Sequence, residues 1–127
     1  LVRLHKKICN HPQAPWNIAQ MAEELHLSTS RLQTLYKQMF GISCMDDVIQ
    51  RRLYRAKDRL KYTNLPIREV AEDCGYNNVE HFCRQFRQYN GCTPGQFRKE
   101  ASNQKEADLP THQTLGGKEV ASLNTDR

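Results

Sequence analysis

Apolar residues recur three and four positions apart through most of the first hundred residues, the period of an α-helix that buries one stripe of its surface. No stretch alternates with the period of two that a half-buried strand requires. The pattern predicts an all-α fold. Leu1, Leu4 and Ile8 begin it with one helical stripe. In "PWNIAQMAEEL", Asn17 stands as an N-cap with Gln20 three residues on, Trp16 is placed to staple against Met21, and the helix ends near Leu25.

The remaining helix ends follow from their chemistry. "LSTSRLQTLYKQMFG" predicts a helix capped by Ser28, turning Leu32, Leu35, Tyr36 and Met39 inward and stopping at Gly41. Ser43 caps a long helix over about 43–62, with Asp46 and Asp47 in the first turn, where the macrodipole favours negative charge. Its buried stripe reads Ile49, Leu53, Ala56 and Leu60. Pro66 opens the next helix and Gly75 breaks it. Asn78 caps a helix with Phe82, Phe86 and Tyr89 on its inner face, ending near Gly91. Thr93, Pro94 and Gln96 mark the start of a short closing helix over about 94–100. Residues 101–127 are polar, rich in turn formers and without sustained period, which predicts a disordered tail.

The chain repeats itself. At an offset of 49, Ile18, Ala22 and Glu23 match Ile67, Ala71 and Glu72; past the turn, at an offset of 50, Leu32, Tyr36, Lys37, Gln38 and Gly41 match Phe82, Phe86, Arg87, Gln88 and Gly91. Each half is a short helix, a tight turn and a longer helix with a polar, basic outer face, which is a helix-turn-helix outline. Ala22 and Ala71 permit close helix approach, and Gly75 supplies a left-handed turn where the first copy has His26. A linker helix of about twenty residues, about 30 Å long at 1.5 Å per residue, suits two recognition helices in adjacent major grooves, which repeat every ~34 Å.

Charge sharpens this picture. Residues 1–100 hold sixteen Lys and Arg against ten Asp and Glu, and residues 101–127 hold three against four, so the basic charge lies on the folded part. That balance favours a polyanionic partner without naming it. No apolar run approaches a membrane span and no signal segment opens the chain, so the expected location is cytoplasmic. Five cysteines without a CxxC pair argue against a disulfide framework and against a zinc site. The start at Leu1, inside a helical pattern, leads us to expect an upstream effector-binding or dimerisation domain in the intact protein.

Residues 16–99 resemble the DNA-binding domain of the AraC/XylS family of bacterial transcription regulators. The resemblance rests on "NIAQMAEELHLSTSRLQTLYKQMFGIS" and "RRLYRAKDRLKYTNLPIREVAEDCGYNNVEHFCRQFRQYNGCTPGQFR". It implies two homeodomain-like helix-turn-helix subdomains (about 16–41 and 66–91) joined by the linker helix, about seven helices in all, within a domain of residues 1–100. It also implies binding to promoter DNA at the nucleoid, activation as the usual outcome, and RNA polymerase as a further partner. Asp47 stands where the family more often carries an aromatic residue.

Outward positions are the candidate DNA contacts. The resemblance puts base reading on Ser30, Gln33 and Thr34 of the first recognition helix. Gln pairs bidentately with adenine, and Thr meets a thymine methyl. On the second, Val79, Glu80, Cys83 and Arg84 face outward, Arg84 being the strongest base reader because its fork matches guanine O6 and N7; Glu80 accepts from cytosine N4 or orients Arg84. Phosphate contacts fall to Ser28, Arg31, Lys37, Asn78, Arg87 and Thr93, with helix N-termini adding their dipoles. Arg51, Arg52, Arg55, Lys57, Arg59 and Lys61 crowd the linker helix, either as a solvated face or as DNA contacts, with a structural ion pair the alternative for Arg52. Cys44 and Cys74 read as small core residues.

Nothing pairs a nucleophile with a base or assembles a phosphate cradle, so an enzyme is not expected, and no metal or other cofactor is implied. Two other readings keep DNA as the partner. One is a thiol-redox-responsive regulator acting through Cys83; the other is a non-specific architectural binder, which would need apolar wedges that these short polar faces lack.

Overall fold

The computed structural model describes the backbone of residues 1–112 and the side chains of residues 1–103. Seven α-helices and no strand occur among the described residues: α1 Val2–Asn10, α2 Ile18–Glu24, α3 Thr29–Phe40, α4 Cys44–Tyr62, α5 Ile67–Asp73, α6 Val79–Asn90 and α7 Pro94–His112. Local chemistry explains the starts. Asn17 accepts from the Gln20 amide at 3.0 Å, Ser28 from Arg31 at 3.1 Å, Ser43 from Asp46 at 3.2 Å and Asn78 from His81 at 2.9 Å. Thr93 and Gln96 close a reciprocal capping box at 3.0 and 3.1 Å. Gly41 and Gly91 end α3 and α6 in the left-handed conformation.

The repeat holds in three dimensions. The Leu27 amide donates to Ala22 and the Tyr76 amide to Ala71, both at 2.9 Å, so the two turns close alike. Asn77 is the extra residue that changes the offset from 49 to 50. His26 takes φ +60° where Gly75 takes φ +98°. Each half builds its own core. Leu4, Ile8, Met21, Ala22, Leu32, Tyr36, Cys44 and Val48 form the first; Leu53, Ala56, Leu60, Val70, Ala71, Cys74, Tyr76, Phe82 and Phe86 form the second. No buried residue belongs to both. Helix α4 gives its N-terminal half to one core and its C-terminal half to the other.

Several expectations change. Val48 and Asp47 are buried in α4, while Ile49 is only half-buried. Leu35 is half-buried, and Met39 and Tyr89 lie at the exposed edge, 54% and 38% accessible. These last two are equivalent by the repeat; one residue on, Phe40 packs on the first core, whereas Asn90 donates to the Phe86 carbonyl. The closing helix does not stop at 100: α7 continues to His112, and Ala101 is buried. Residues 99–109 contain no Gly or Pro and are rich in Lys, Glu, Ala and Gln, which favour helix without any apolar period. The remainder of the expected disordered tail, 113–127, lies outside the described residues.

Candidate nucleic-acid interface

Helix α3 buries Leu32 and Tyr36, which leaves Ser30, Arg31, Gln33, Thr34 and Lys37 exposed on its other side. A shallow groove runs from Gln33, Thr34 and Lys37 to Ser43 and Met45 at the start of α4. Helix α6 buries Phe82 and Phe86 and exposes Glu80, Arg84 and Arg87. Arg31, Lys37, Arg84 and Arg87 have no ion-pair partner among the described residues, so their charge is available to a ligand. No bond joins Glu80 to Arg84.

Val79 and Cys83 differ from the outward placement expected of them. Both are half-buried and pack against the second core, because the apolar stripe of α6 widens at its N-terminal end. Burial pushes the Cys83 thiol up from its ordinary range. Burial also raises Cys44 to about 11 and Cys74 to about 12, in each case helped by a neighbouring aspartate. At neutral pH these three are thiols rather than the reactive thiolate.

Ser28 and Asn78 are exposed and Thr93 is half-buried, each with its side-chain oxygen engaged by the amide it caps. One cation not singled out from the sequence joins this surface: exposed Arg68 of α5 lines a groove with Asn77, Asn78 and Glu80 at the start of α6. Its repeat equivalent is Ala19, and the asymmetry between the halves was the only signal that pointed to it.

Most linker arginines face inward. Arg51 binds buried Asp47 at 2.8 Å. Arg55 and Arg59 share the Asp73 carboxylate at 3.2 and 2.8 Å. Desolvation alone would raise Asp73, but its hydrogen bonds to Arg55 and Arg59 outweigh that and hold it below the ordinary carboxylate value. Arg52 donates from Nε to the Pro12 carbonyl and from Nη2 to the Ala14 carbonyl, both at 2.7 Å. Its guanidinium also lies 5.5 Å from the centre of the Tyr76 ring. Arg98 from α7 reaches the Leu60 and Thr63 carbonyls at 3.1 and 3.3 Å, closing the C-terminus of α4. Arg52 is therefore held by two backbone carbonyls and a ring, with no carboxylate in an ion pair.

Among the described residues no His, Cys, Asp and Glu cluster is arranged to hold a metal, and no helix is long and apolar enough to cross a membrane.

The family model of a helix-turn-helix domain matches residues 21–100. The arabinose operon regulatory protein of Escherichia coli is 35% identical over 83 residues, 65% of this chain and 28% of that protein. The C-terminal domain of AraT, a response regulator from Geobacillus stearothermophilus, superposes with a TM-score of 0.72 at 32% identity, covering 78% of this chain and 83% of that one. The DNA-binding domain of AdpA, solved with a target DNA, reaches a TM-score of 0.77 over 83% of this chain and 95% of that one; at 17% identity it supports the fold alone. The chain spans 10%, 32% and 30% of the length of three curated relatives, all helix-turn-helix transcriptional regulators. With paired helix-turn-helix units on one linker helix and this match over residues 21–100, the chain belongs to the AraC/XylS family of transcription regulators, as its DNA-binding domain.

Proposed function

We propose that this domain binds double-stranded promoter DNA sequence-specifically, with α3 and α6 in successive major grooves of one duplex. The observation that carries the reading is the pair of equivalent recognition helices, each with an exposed polar face, at opposite ends of α4. That helix has 19 residues, about 28 Å at 1.5 Å per residue, close to the ~34 Å groove repeat. Ser30, Gln33 and Thr34 read one half-site; Arg84 and Glu80 read the other, with Val79 and Cys83 at its edge offering apolar contact. Ser28, Arg31, Lys37, Asn78, Arg87 and Thr93 hold phosphates and set the register. In the intact protein this domain serves an activator in the cytoplasm, at the nucleoid, with an effector-binding or dimerisation domain upstream and RNA polymerase as partner.

A redox reading through Cys83 is less well supported, since burial keeps that thiol protonated. Architectural binding is disfavoured by recognition faces that carry hydrogen-bonding and charged groups rather than wedges. The role is recognition rather than catalysis.

Site selection from a random duplex library tests this. The expected motif has two half-sites about one helical turn apart, and Arg84→Ala loses information in one half alone. Binding that yields no motif and only fades with salt would overturn the reading.

A further inference from the structure

We infer that Arg52, with the loop between α1 and α2, is a brace that sets the angle between the two recognition helices and hence the half-site spacing the domain accepts. This rests on the two-groove reading above. A helix bends at modest cost along its length, so α4 alone fixes how far apart the two units lie better than how they are turned. The two cores share no buried residue, and something besides α4 must hold their orientation.

The loop of residues 11–17 is positioned to do so. It follows α1, whose Leu4 and Ile8 are part of the first core, and leads into Trp16, which packs on that same core and donates to the His11 carbonyl at 2.8 Å. From there it crosses to the second unit. Pro12 is buried. The Gln13 backbone lies so near Gly75, in the second helix-turn-helix, that a Cβ there would sit 2.6 Å from the Gln13 carbonyl oxygen. Arg52 rises from the middle of α4 between them. Its two bonds to Pro12 and Ala14 tie down the loop, while its guanidinium lies over the ring of Tyr76, the residue after Gly75. Loop, α4 and turn form a triangle joined at Arg52.

A further hydrogen bond between the halves among the described residues, Tyr89 to Asp46 at 3.1 Å, is exposed, and water competes for such a bond. The loop of the brace lies before residue 21, outside the matched helix-turn-helix segment, while Arg52, Gly75 and Tyr76 lie inside it and away from both reading faces. Lysine cannot replace Arg52: a single ammonium on a flexible stem does not hold two carbonyls in a fixed fork.

The test uses duplexes carrying the selected half-sites at their selected spacing, with a base pair or two added between them, and each half-site alone. It compares the whole chain with its Arg52→Lys, Arg52→Ala and Tyr89→Phe variants. For the parent chain and Tyr89→Phe, altered spacing should weaken binding by about a hundredfold, because the second reader no longer engages intramolecularly. For both Arg52 variants the penalty should shrink to about tenfold, with single half-site affinity unchanged. An unchanged spacing penalty in a folded Arg52 variant overturns the proposal. So does loss of folding in both variants, since each core is complete without the brace. Amide exchange without DNA separates the brace from the two-groove reading. Faster exchange at residues 13, 14 and 74–76, with α3 and α6 unaltered, reports release of the brace. A parent chain indifferent to the second half-site overturns the two-groove reading instead.

Discussion

The Tyr36 hydroxyl donates to Asp47 at 2.7 Å inside the first core, at the two positions that the repeat equates with Phe86 and Phe97 in the second. There the same positions hold two aromatic rings edge to face, 5.7 Å apart. One half has replaced a ring contact by a hydrogen bond. The carboxylate, 4% exposed, also takes Arg51 at 2.8 Å and lies 3.4 Å from His5 of α1. Burial first, and the bond to Asp47 second, push the Tyr36 hydroxyl far up from its ordinary value, so it is a protonated donor at neutral pH.

Asp47→Ala should therefore cost about 3 kcal/mol, because it loses the charge-assisted bonds in the core and leaves the Tyr36 hydroxyl with His5 Nδ1, at 3.0 Å, as its remaining partner. Tyr36→Phe should cost about 1–2 kcal/mol by leaving the carboxylate one donor short. Asp47→Phe combined with Tyr36→Phe recreates the aromatic pair of the second half and should cost less than the sum of the single changes, a coupling of about 1 kcal/mol or more. Urea unfolding of the four proteins gives this directly, and additive single-mutant costs would contradict it.

Gly75 and His26 occupy equivalent turns with opposite consequences. Gly75→Ala meets both positive φ and the Gln13 backbone, and should cost about 2 kcal/mol or more. Gly41→Ala has φ +76° but nothing within 4 Å, and should cost about 1 kcal/mol. His26→Gly relieves a strained φ of +60° and should stabilise by up to about 1 kcal/mol, offset in part by unfolded-state entropy. Melting temperatures should rank the three variants in that order.

Lys37 and Arg87 are equivalent by the repeat, exposed and unpaired. If each neutralises a phosphate, Lys37→Ala and Arg87→Ala should each flatten the dependence of log affinity on log salt by about 0.9. The loss should be uniform across sequences, whereas Arg84→Ala should relax preference at one position by about 1–3 kcal/mol. Titrations at several salt concentrations distinguish the two behaviours.

Asp73 provides an acid dependence. Its folded carboxyl titrates below the ordinary value of 3.8 through Arg55 and Arg59, so its stabilisation is present above 3.8 and is lost as pH falls through the lower, folded value. The residue is over a third exposed, and solvent screening keeps the effect small. Asp73→Asn should remove that part of the acid slope while leaving the slope above pH 5 alone, a comparison made by thermal unfolding across the acid range.

The all-α class, the caps at Asn17, Ser28, Ser43, Asn78 and Thr93, the turn glycines and the duplication were determined by the sequence alone. Each is decided within a turn or so of chain, where side-chain oxygen, backbone amide and apolar stripe lie within reach of one another. The exposure of Gln33, Thr34, Arg84 and Arg87 was legible for the same reason: once Leu32, Tyr36, Phe82 and Phe86 are placed inside, helical geometry assigns the opposite face. Tertiary structure decided the rest. Nothing local distinguishes Arg52 from Lys57 or Arg84, and its role emerges only because Ala14, 38 residues away, presents a carbonyl to it. Asp47 looked like a surface charge favoured by a helix N-terminus until Tyr36, 11 residues earlier, supplied the donor that let it be buried. A charge's partner is set by which distant backbone the fold brings near, and that information is spread over the whole chain.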